Sequence, residues 1–192
     1  MVHLPMQAFM ETHYLGPGAL TSDMNEEEFK HSVSESIQSL PHIKGVNNHM
    51  GSLITSNPKA MKWLMDELAK TSLYFVDSRT TVETLAEKTA NDYQIKNTRR
   101  NVFLDNETNR PAIEYQFKRL IHLAKKYGSA VAIGHPHSET LKFLEEKIPQ
   151  LTAAGIELVP VSQLIHKQTL ARLKQGTRNI THSYIPAKII SN

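Results

Sequence analysis

Ten histidines in a 192-residue chain that has no cysteine set the chemistry open to this sequence. Imidazoles and carboxylates can ligate zinc or a similar divalent metal and can move protons, whereas thiolate ligands and disulfides are excluded. The stretch Gly45-Val46-Asn47-Asn48-His49-Met50-Gly51-Ser52 concentrates a histidine, two amides and two glycines between an apolar lead-in and a helix-like segment. Further polar groups follow other apolar runs: His3, Asp77 with Arg79, Asp105 with Asn106, and His135. Each has an ordinary reading taken alone. Asp105 could cap a helix, Arg79 could be a solvated partner for Asp77, and His135 before Pro136 could be a turn histidine. Their shared placement after strand-like runs argues for one site, in which carboxylates and imidazoles converge to hold a metal and handle protons.

The elements that position these groups alternate between strand and helix. Met1 to Met6 reads as the end of a strand that Pro5 stops. Ser22 or Asp23 can cap a helix whose first turn holds Glu26, Glu27 and Glu28 and whose stripe is Phe29, Val33, Ile37 and Leu40, ending at Pro41. A strand from Ile43 to Val46 leads into Asn47-Asn48-His49, and Asn57-Pro58 opens a helix with Met61, Leu64, Met65 and Leu68 turned inward, Trp63 packing beside them. Leu73 to Val76 predicts a buried strand, and 82–90 a helix. Val102 to Leu104 predicts another strand, and Ile113 to Ala124 a long helix closed by Gly128. Ala130 to Ile133 is a strand, followed by a helix through Leu141, Leu144 and Ile148, a short strand Ile156 to Val159 and a last helix through Leu164 and Leu170. The alternation predicts an α/β fold with a parallel sheet and right-handed crossovers, and the polar clusters after successive strands favour a barrel with its site at the strand carboxyl ends.

Composition bounds the function. The length suits one domain, here residues 1–174, with 175–192 expected as a polar, irregular and poorly docked tail. A formal net charge of +3 with scattered basic residues gives no basic stripe and no support for nucleic-acid binding. No apolar run approaches a membrane span, and no signal peptide opens the sequence.

The strings His3-Leu4-Pro5-Met6, Gly45 to Ser52, Phe75-Val76-Asp77-Ser78-Arg79-Thr80, Val102-Phe103-Leu104-Asp105-Asn106 and Ile133-Gly134-His135-Pro136 together resemble the successive signatures of the divergent polysaccharide deacetylase family, from residue 3 to about Ile165. The resemblance implies an irregular (β/α) barrel of the polysaccharide deacetylase type in a bacterial protein, usually exported or periplasmic. It implies a hydrolase that uses zinc or a similar divalent metal to deacylate a polysaccharide or peptidoglycan-like substrate. By order along the barrel, His3 and His49 resemble the metal-binding histidines, and His135 the one that protonates the leaving group. Asp77 or Asp105 could orient His135 or Arg79, while Asn47, Asn48 and Asn106 suit sugar hydroxyls. The family's opening strand, with its Asp-Asp pair, and the next βα unit are expected before His3. This chain is therefore expected to lack its first βα units and to be inactive and prone to associate by itself. A non-catalytic glycan-binding or interaction protein that keeps the barrel is the alternative. Oligomeric state has no signature in the sequence.

Overall fold

The computed structural model describes residues 1–10 and 15–182. Residues 1–158 form one compact unit, and a second begins at Val159. In the first, strands β1 (Val2–Met6), β2 (Gly45–Met50), β3 (Tyr74–Asp77) and β4 (Asn97–Arg99) pair in parallel in the order β1-β2-β3-β4. Strands β5 (Val102–Phe103) and β6 (Ala132–Ile133) form a separate parallel pair. The fold is therefore α/β with parallel strands, as the alternation predicts. Among the described residues the hydrogen-bonded ladders make two sheets and do not close a ring.

Parallel neighbours require crossovers, and helices supply them. Helix α1 (Glu26–Gln38) links β1 to β2, helices α2 (Ser52–Ser56) and α3 (Pro58–Leu68) link β2 to β3, and α4 (Ala86–Asp92) links β3 to β4. Helix α5 (Arg110–Tyr127) joins β5 to β6, and α6 (Ser138–Lys147) follows. The core beneath the larger sheet is apolar. Leu4 and Met6 of β1, Val46 of β2 and Phe75 of β3 are buried against Phe29 and Val33 of α1 and Met61, Leu64, Met65 and Leu68 of α3. Trp63 packs as expected, its ring centroid 5.6 Å from that of Phe29. Lys30 and Tyr93 meet on Asp66, the lysine Nζ at 2.9 Å and the phenol donating at 2.8 Å, so α1 and the end of α4 are both tied to α3.

Several boundaries move for local reasons. Helix α1 is capped by Asn25 rather than by Ser22 or Asp23, because its three-residue spacing to Glu28 closes a reciprocal capping box. Pro5 lies within β1 instead of stopping it, which a strand at the edge of the described sheet tolerates since the missing N–H is not needed there. Helix α4 begins at Ala86, later than expected. Strand β4, Asn97-Thr98-Arg99, has no apolar run to announce it. No strand forms at 156–159. The second unit is described through helix α7 (Val161–His182). The segment 175–182, expected to be irregular, is helical, and the rest of the expected tail, 183–192, lies outside the described residues.

Candidate functional site

Strand register brings the first two histidines together. His3 pairs with Asn47 and Pro5 with His49 across the β1–β2 ladder. On β1 the alternation buries Val2, Leu4 and Met6 and turns His3 to the other face. The rings meet edge to face, with His49 Nδ1 3.0 Å from His3 Nε2. Desolvation lowers both imidazole pKa values below the ordinary one. For His3 the Asn47 side chain opposes that shift, while His49 and His135 add to it. His135 also adds to the shift at His49. Both rings are thus biased toward the neutral form that a metal ligand requires.

The end of β2 and the residue after it are shaped by two successive left-handed residues, Met50 (φ 52) and Gly51 (φ 87). A Cβ at Gly51 would stand 2.8 Å from the Cβ of Met6, so this glycine is required by conformation and by the approach of β1. Asn48 is buried, and both ends of its amide bond within the protein. Its Nδ2 donates to the Met50 carbonyl at 2.8 Å and its Oδ1 accepts from the Ser78 N–H at 2.8 Å. Asn47, also buried, donates to Ser78 Oγ at 3.3 Å. Asn106 is exposed.

Asp77 ends β3 in full burial. Its Oδ1 accepts from the Arg79 N–H at 2.8 Å, and its Oδ2 accepts from Thr84 Oγ1 at 3.1 Å and from the Glu87 N–H at 3.3 Å. The carboxylate therefore holds its own loop and the first turn of α4. Asp105, not Asp77, holds His135. Its Oδ1 faces His135 Nδ1 at 3.1 Å, while its Oδ2 accepts from the His135 N–H at 2.6 Å and from Thr140 Oγ1 at 3.0 Å. Burial alone would push the Asp105 carboxyl up, but the bonds from the His135 backbone and ring and from Thr140 hold it below its usual range. The Phe103 ring lies 5.3 Å from that of His135.

His137 is the residue that sequence reasoning passed over. Asp105, His135 and His137 each offer a ligand atom within 4.8 Å of the others, a group that could hold a cation. The His-Pro-His spacing was its visible signal, because two imidazoles two residues apart after a strand both stand near the strand end.

The chain is thus a parallel α/β protein in which His3, inside β1 and not at its end as expected, meets His49 of β2, while Asp105 supports His135 after β6. Residues 1–165 match the divergent polysaccharide deacetylase family, and the chain belongs to it. It is 37% identical over 167 residues to YibQ of Escherichia coli, covering 87% of this chain and 52% of that protein. It is 34% identical over 164 residues to a protein of Haemophilus influenzae, covering 85% of this chain and 58% of the other. Both relatives are described as uncharacterized, and the chain spans little more than half the length of each. In fold it is similar to the crystal structure of the uncharacterized protein ATU2773 from Agrobacterium tumefaciens, with a TM-score of 0.81 at 21% identity, covering 84% of this chain and 66% of that one.

Proposed function

We propose that the strand ends form the acyl-transfer site of a metal-dependent carbohydrate deacetylase that removes acyl groups from a cell-envelope glycan, in an exported or periplasmic protein built on the family's irregular barrel. The observation that carries this reading is the His3–His49 contact, 3.0 Å between ring nitrogens, within electrostatic reach of the Asp105-held His135. Two nitrogens bound tetrahedrally to one zinc at about 2.0–2.1 Å stand about 3.3 Å apart, so a few tenths of an ångström of opening from the 3.0 Å contact would suit the pair to a single cation. Among the described residues no carboxylate joins them in a three-ligand group. Bound there, a divalent cation would polarise the acyl oxygen and lower the pKa of a bound water.

The chain's own residues supply the proton chemistry. With Nδ1–H donating to Asp105, His135 keeps Nε2 as the nitrogen that gives a proton to the departing amine or alcohol. The buried carboxylate fixes ring orientation through two contacts on the same residue. A second metal reading has its own observation, the Asp105-His135-His137 group. In that reading His135 is a ligand and cannot serve as the acid.

The test is zinc binding together with release of acetate from an acetylated amino-sugar oligomer, measured on the full-length protein. Chelator-sensitive release that His135→Ala abolishes while zinc affinity is retained supports the first reading. Loss of zinc binding in His135→Ala, with affinity retained in His3→Ala, supports the second. Glycan binding that is indifferent to chelator, with no acetate released, would leave a binding protein.

A further inference from the structure

We propose that Arg79, clamped by Arg100, is a recognition site for an oxyanion, a carboxylate or phosphate, carried by the substrate. The inference rests on the reading of these strand ends as a glycan site and names a property of that glycan. Arg79 has φ 49, in the left-handed region that side chains rarely adopt. Its backbone is held from both sides: its N–H donates to Asp77 Oδ1 at 2.8 Å, and its carbonyl accepts from Arg100 Nη2. Arg100 Nε also donates to the Ser78 carbonyl at 2.6 Å. The flanking residues fasten this loop beside His49, because Ser78 Oγ donates to the Asn48 carbonyl and Thr80 Oγ1 to the Met50 carbonyl, each at 2.8 Å.

That conformation holds a guanidinium with no hydrogen bond or ion pair of its own among the described residues. The carboxylate two residues before it, Asp77, is occupied by the Arg79 N–H, Thr84 and Glu87. A second guanidinium reaches the same residue, since Arg100 Nη2 bonds the Arg79 carbonyl; burial and then the charge of Arg79 hold Arg100 below the ordinary arginine value, against the charge of Asp77. Arg100 lies 5.0 Å from the Phe103 ring centroid, and Phe103 adjoins His135, so Arg100 shares a neighbour with the Asp105-held histidine. A planar guanidinium without a partner of its own takes a carboxylate or phosphate through paired N–H bonds.

The experiment follows the Arg79 Nε–Hε resonance in the 192-residue chain during titration with three probes. These are neutral chitotetraose, a tetrasaccharide of alternating N-acetylglucosamine and N-acetylmuramic acid, and inorganic phosphate. The carboxylate-bearing sugar is expected to move the resonance and to bind about tenfold tighter than the neutral one, a difference of about 1.4 kcal/mol. Arg79→Gln erases the preference and leaves thermal unfolding in place, and Arg79→Lys restores part of it. Equal affinity for the two sugars, or a preference that survives in Arg79→Gln, overturns the proposal. If neither sugar binds while phosphate still shifts Arg79, the anion site stands and the glycan reading fails. A resonance unmoved by both the charged sugar and phosphate overturns the anion site.

Discussion

Asp105 grips His135 at two points, accepting its backbone N–H on Oδ2 at 2.6 Å and facing its ring Nδ1 with Oδ1 at 3.1 Å. A single buried carboxylate thus sets both the path of the loop after β6 and the orientation of its imidazole. Because the Asp105 pKa is lowered in the folded chain, its stabilising contribution is complete above the unfolded value of about 3.9. It is lost as pH falls through the folded value. Asp105→Asn should therefore flatten the fall in the urea midpoint between about pH 5 and 2 relative to the native chain. A variant that reproduces the native acid profile would show that this carboxylate is not stabilised by folding.

The histidine pair predicts a metal affinity that depends on two strands at once. His3→Ala and His49→Ala should each weaken zinc binding by tenfold or more, about 1.4 kcal/mol or above, without shifting the thermal midpoint of the metal-free chain. Competition with a chromogenic chelator reads this directly. Zinc affinity unchanged in both variants, but lost in His137→Ala, would move the metal to Asp105, His135 and His137.

Asp77 predicts a different outcome. Three donors, the Arg79 and Glu87 N–H groups and the Thr84 hydroxyl, converge on it inside the protein. Leaving a buried donor unpaired costs about 1–3 kcal/mol, so Asp77→Ala should lower unfolding free energy by roughly 2–4 kcal/mol on that basis. Its zinc affinity should stay close to native. Urea unfolding within 0.5 kcal/mol of native, an ordinary value of about that size for surface changes, would remove the loop-holding role.

Gly51 predicts that the fold and the site fail together. A side chain there meets a left-handed φ of 87 and a Cβ-to-Cβ distance of 2.8 Å to Met6. Left-handed geometry alone costs about 1–2 kcal/mol for an L residue. Gly51→Ala should exceed that figure in urea unfolding and also weaken zinc binding, because β1 and the segment after His49 must separate. Stability and zinc affinity both unchanged would mean that β1 and β2 shift without disturbing His3 and His49.

Local rules carried much of the fold. Asn57 before Pro58 and Gly128 after Tyr127 mark helix ends through groups that act within one turn, and both ends are found there. Apolar runs at Phe75-Val76 and Val102-Phe103 found strands for the same reason, since burial of short runs is written into residue type. Family membership was legible in the ordered strings from His3 to His135. Strand β4 was not: Asn97 and Thr98 are buried but polar, and only pairing with β3 makes Asn97-Thr98-Arg99 a strand. The same holds for the roles of the site residues. Nothing within a few residues of Asn48, Asp77 or Asp105 tells what each one holds, because their deciding partners include Ser78, Glu87, His135 and Thr140, up to 35 residues away. The residue types that could do chemistry were determined by the sequence. Which carboxylate holds His135, which holds a loop, and which nitrogen of His3 meets His49 were decided by tertiary structure, because hydrogen bonds and strand register act across space between segments that the chain separates.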